Sequence, residues 1–124
     1  MITKSLKIGD MVYALCKDIC KGGCYPIIAD KGANYPFMIY RRSGLSERSS
    51  KDRGIVDYVN VEIILCSQDY TESIDLITKV KDTLELKRWY NGEFQVIDTE
   101  ITGGAEWWHN DAYVQSLNVQ FKVC

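Results

Sequence analysis

The chain has 124 residues, 15 Lys+Arg against 17 Asp+Glu, and a formal net charge of -2. This length fits one domain, 1–124, that can bury about two-thirds of its unfolded surface, and 46 % apolar content is too high for intrinsic disorder. The near-neutral balance excludes a coat of positive charge for nucleic acid or membrane, and no apolar run approaches the ~20 residues of a membrane helix.

The opening MITKSLKIGD has neither the apolar run nor the cleavage site of a signal peptide. Cys16, Cys20, Cys24, Cys66 and Cys124 are odd in number and sparse for a disulfide scaffold. These features predict a soluble, intracellular protein with reduced thiols.

The first periodic segment runs from about Asp10 to Cys20, with Val12, Leu15, Cys16, Ile19 and Cys20 on one helical stripe. Asp10 has the form of an N-cap and Gly22-Gly23 of a stop. Tyr25 to Ile28 reads as a short extended piece, and Asp30 to Asn34 as a loop. Pro36 opens a strand over Phe37 to Arg42. The polar, Gly/Ser-rich stretch that follows, about 43–54, has no period and reads as a mobile basic loop. From Ile55 to Cys66 comes a strand whose buried face is Ile55, Val59, Val61, Ile63 and Leu65, interrupted only by Asp57.

Asp69 and Glu72 form a capping-box pattern before a helix reaching about Leu86, with Ile74, Ile77, Val80 and Leu84 inward. Asn91-Gly92 is a turn signal, and Phe94 to Thr102 a strand broken by Gly103-Gly104. Ala105 to Asp111 reads as a loop carrying Trp107, Trp108 and the single histidine, His109. In the last strand Tyr113, Gln115, Leu117, Val119, Phe121 and Val123 form the core face. The expected architecture is α+β: an antiparallel sheet of about four strands with two helices packed on one face.

No motif carries chemistry. The spacing C-x3-C-x3-C permits zinc, but Cys16 and Cys20 lie on the apolar stripe, where a free thiol packs as a small hydrophobe. His109 has no locally positioned nucleophile or orienting group, and Asp98 with Glu100 is an ordinary same-face pair on a strand. The glycines match no phosphate-binding pattern. No catalytic, cofactor-binding or metal residue is assigned, and no enzyme activity or cofactor is expected.

Two surface features stand out. From Arg41 to Gly54, Arg41, Arg42, Arg48, Lys51 and Arg53 face only Glu47 and Asp52, a net +3 that leaves -5 for the rest of a chain totalling -2. Such a segment can meet an acidic patch on another copy, face phosphates weakly, or simply be solvated. Trp107 and Trp108, beside Tyr113, cannot both enter one core from an extended chain, so one of them is a candidate interface aromatic or a lid on the core edge.

The order and spacing of these elements resemble the small tail-completion proteins of long-tailed phages and prophages, the tail terminator or head–tail joining family. The residues that carry the resemblance are Tyr25-Pro26, Tyr35-Pro36-Phe37-Met38-Ile39-Tyr40, Val59-Asn60-Val61-Glu62-Ile63, Asp69-Tyr70-Thr71-Glu72-Ser73 and the closing Asp111, Tyr113, Leu117, Val119, Phe121 and Val123. The cysteine-rich first helix and the Trp107-Trp108 pair depart from the family pattern. The resemblance implies a structural virion protein, assembled in the bacterial host cytoplasm and located in the virion tail. It implies a homo-oligomeric ring, typically hexameric, that caps the tail tube, joins it to the head connector and passes DNA through its lumen, with no membrane partner. The basic segment is then a subunit or lumen contact. The alternative is a stand-alone α+β ligand-binding or regulatory module.

Overall fold

The computed structural model describes residues 5–50, 54–85, 88–90 and 92–124. A short 3-10 turn, Ser5–Lys7, leads into α1 (Ile8–Cys16), β1 (Cys24–Pro26), β2 (Phe37–Ser50), β3 (Gly54–Ser67), α2 (Tyr70–Leu84), β4 (Trp89–Tyr90), β5 (Gln95–His109) and β6 (Ala112–Val123). The strands form one curled sheet in the order β1-β2-β3-β6-β5-β4. Every pairing is antiparallel except β1 with β2. The expectation of a four-stranded antiparallel sheet is therefore corrected to a six-stranded mixed one in a mostly sheet protein.

The two extra strands are short edges. At Gly22 and Gly23 the chain reverses, Gly22 N–H donating to Pro36 O at 2.7 Å and Met38 N–H to Gly23 O at 3.0 Å, which lays β1 parallel to β2. A Cβ at Gly22 would stand 1.6 Å from Asn34 O, so only glycine fits there. At the opposite edge Trp89-Tyr90 pairs with Gln95 and Val96.

Both helices lie on one sheet face. Ile8, Val12 and Cys16 of α1 and Leu76, Val80 and Leu84 of α2 close over Met38, Val59, Val61, Ile63, Leu65, Val119 and Phe121. Of the period-2 faces read from β3 and β6, Val59, Val61, Ile63, Leu65, Leu117, Val119, Phe121 and Val123 belong to this core. Tyr113 is half-buried, Gln115 is a buried polar residue at the core's edge, and the side chain of Ile55 lies outside the described residues. Asp57, the interruption, is buried and accepts a hydrogen bond from the Ser5 hydroxyl, which offsets part of the cost of burying its carboxyl group. Cys16, Cys20 and Cys24 pack in the same core.

Several local expectations change. Asp10 is inside the first turn of α1, where its charge suits the helix dipole, and Lys7 precedes the helix. Ile74 and Ile77 are only half-buried, because the inward stripe of α2 is Ser73, Leu76, Val80 and Leu84. The segment read as a loop at about 43–54 is strand from 43 to 50 and again from 54, with Arg42 and Gly44 flanking a bulge. Lys51 and Arg53 lie outside the described residues. Gly103-Gly104 does not end β5 either: a register shift falls between Ile101 and Gly103, and pairing continues to His109↔Ala112. Asn110 and Asp111, at φ 49 and 59, make the two-residue turn that right-twisted hairpins favour.

Candidate assembly surfaces

β1 covers only Met38 to Tyr40 of β2, and β4 only Gln95 and Val96 of β5. Residues 41–50 on one side of the sheet and 97–109 on the other therefore have no outer strand among the described residues. Each stretch is a row of backbone donors and acceptors available to another chain.

The open part of β2 is basic. Arg41 is exposed and pairs with Glu62, Nη2 to Oε1 at 2.8 Å. Arg42 is exposed and reaches the Leu6 carbonyl at 3.4 Å. Arg48 stands opposite Val56 in the hairpin register. The open part of β5 carries Asp98, Glu100 and Glu106 and no Lys or Arg. The basic half of this asymmetry stands out in the sequence as a run of charge, whereas the acidic half is dispersed along the chain and is gathered only by the strand.

Trp107 and Trp108 belong to β5 rather than to a loop, so they point to opposite faces. Both are exposed, at 43 % and 57 %. Trp107 lies on the face away from the helices, at a hollow of about 340 Å³ lined by Tyr35, Phe37, Ile39, Ile64 and Val114. Tyr35 OH donates to Asn110 O at 3.2 Å and ties the rim to the β5–β6 turn. Cys66 and His109 also line this hollow, but burial pushes the Cys66 thiol up, opposite to what an activated nucleophile needs.

Trp108 faces the helix side. Its ring meets Tyr113 edge-on at 4.8 Å, and Tyr113 meets Tyr70 edge-on at 5.4 Å. Glu106 sits among them, accepting from Tyr70 OH at 3.0 Å and from Gln115 Nε2 at 2.9 Å. That carboxylate raises the Tyr70 phenol above its usual pKa, by hydrogen bond and by charge. Together these side chains frame a hollow of about 230 Å³. Tyr70 and Glu106 were not singled out from sequence, although Glu106 is two residues before Trp108 and so shares its face in any strand.

Beyond β1 the chain presents Ile27 and Ile28, 73 % and 75 % exposed. Ile27 has φ 66, and Ile28 N–H donates to Pro26 O at 2.7 Å, closing a three-residue turn. A β-branched residue in this region is strained by about 1–3 kcal/mol. Next to it a hollow of about 350 Å³ opens between Ile8, Gly9, Tyr40 and Arg42.

In the described residues no group of three or more His, Cys, Asp or Glu is arranged to hold a metal. Burial pushes Cys16 and Cys20 up to about 12 and Cys24 up to about 11.

No family model and no curated protein matches the chain. A solved structure shares its fold: a chain of the virion of a native gene transfer agent particle, at TM-score 0.71 and 11 % identity, covering 97 % of this chain and 89 % of that one. At that identity the likeness establishes a common fold over nearly the whole length.

Proposed function

We propose that this chain is a structural virion protein of the tail terminator or head–tail joining kind. In this reading copies close into a hexameric ring that caps the tail tube, joins it to the head connector and lets DNA pass through the lumen. The observation that carries it is the end-to-end agreement of fold with a virion chain. Two further features support it. The sheet has open edges on both sides, one basic and one acidic, and a heterologous contact between them repeats from copy to copy until a ring closes. The chain order of elements also resembles that family.

Replacing Arg48, Lys51 and Arg53 by Glu reverses the sign of the basic segment. The triple variant is expected to keep the circular dichroism spectrum of the parent and to lose rings in negative-stain images. Unchanged rings in that variant would remove the basic segment from the assembly surface. The hollow beside Gly9, Tyr40 and Arg42 favours the second reading, a ligand-binding module. That reading gains if the parent protein stays monomeric at every concentration.

A further inference from the structure

We propose that the hollow framed by Tyr70, Glu106, Trp108 and Tyr113 is a cation site that takes the guanidinium of Arg42 from a second copy of this chain. The inference rests on the ring reading and names the contact within it. Three aromatic rings around a carboxylate are a recognition surface for a planar cation, which gains from the ring faces and from the charge together. Among the described residues no basic side chain pairs with Glu106; its partners are the neutral Tyr70 hydroxyl and Gln115 amide. Arg42 is its counterpart, an exposed guanidinium whose partner is a backbone carbonyl at 3.4 Å.

The two cannot meet within one copy, because β3 and β6 lie between β2 and β5. They can meet between copies. β2 and β5 run in opposite directions, so a head-to-tail neighbour presents its β2 antiparallel to β5. Within one sheet the row of Met38 passes through Leu65 and Gln115 to Glu106. A stagger of about four residues between copies, about 13 Å at the rise of a strand, moves Arg42 into the row of Glu106. That stagger also sets 41–50 against 98–107, clear of β1 on one copy and of β4 on the other. It preserves faces: Arg42, opposite Val61, and Glu106, opposite Gln115, both lie on the helix side. Allowing for the bulges in both strands, Arg48 falls at the register of Glu100, and Arg41 at that of Trp107.

The test is a charge swap read by sedimentation. Arg42→Glu and Glu106→Arg should each raise the concentration for half-assembly at least tenfold, Glu106→Gln should do so partly, and the double swap should recover most of the loss. Circular dichroism of each variant separates this from unfolding. Single variants that assemble like the parent, or a double swap no better than the singles, overturn the inference and leave the ring standing. Should the parent stay monomeric, the ring reading fails, and a synthetic peptide of residues 39–50 decides the site. It should shift the Trp108 Nε1–H resonance saturably, and the Arg42→Gln peptide should not; no shift, or equal shifts, overturns the cation site.

Discussion

The three core cysteines show how far side-chain chemistry is decided by placement. Their spacing allows a metal, yet burial holds Cys16 and Cys20 near 12 and Cys24 near 11, so each is a neutral thiol at physiological pH. The sign of the pH dependence follows. The folded state keeps these protons while the unfolded thiols ionise near 9, so stability is complete below about pH 9 and falls as pH rises from there towards 12. Denaturant titrations at pH 7 and pH 10 should show this loss, and replacing all three by Ala should flatten it while lowering stability at pH 7. At pH 8, alkylation of the native protein should label Cys124, which is exposed, and spare Cys16, Cys20 and Cys24. Gly104 makes a second residue-level test, because an added Cβ would stand 2.6 Å from Ser116 O. Gly104→Ala should cost roughly 1–3 kcal/mol in urea unfolding through that clash, whereas at Gly32, with nothing within 4 Å of an added Cβ, the cost of Ala is the backbone strain of φ 84 alone.

Elements were legible where apolar residues of a buried face alternate with polar or half-buried ones, and illegible where that contrast is missing. The alternation of Tyr113 to Val123 and of Val59 to Leu65 located β6 and β3 because one face of each packs under the helices. The outer half of β2, Ser43 to Ser46, is exposed or half-buried throughout, so no period marks it, and its pairing with β3 overrides its loop-like composition. In β5 the glycine pair was read as a breaker, but it flanks a bulge and a close approach to Ser116. The start of α2 was placed correctly for a partly wrong reason. Asp69 is the N-cap, yet its side chain makes no capping bond. Instead Asp69 N–H donates to Ser67 Oγ at 3.2 Å, and the Ser67 hydroxyl donates to Glu72 at 2.6 Å. Ser67→Ala should therefore cost about 1–2 kcal/mol and Asp69→Ala a few tenths, as measured by chemical denaturation. The same limit hid half of the candidate site. Arg41, Arg42 and the tryptophans stand out by type, but Glu106 gains meaning only once Tyr70 is brought across to it from α2.

At the scale of the molecule, a net charge of -2 conceals two edges of opposite character. β2 carries Arg41, Arg42 and Arg48 on one side of the sheet, and β5 carries Asp98, Glu100 and Glu106 on the other. An isologous dimer would set like charge against like, whereas a head-to-tail contact sets basic against acidic and leaves another open edge for the next copy. Assembly should accordingly weaken as salt rises, with the half-assembly concentration increasing between about 50 mM and 500 mM NaCl. The most direct measurement is native mass across a concentration series. A closed ring of six 14.2 kDa chains predicts one dominant species near ~85 kDa, with few dimers or trimers between it and the monomer. A protein that stops at a dimer, or stays monomeric throughout, would contradict head-to-tail ring assembly.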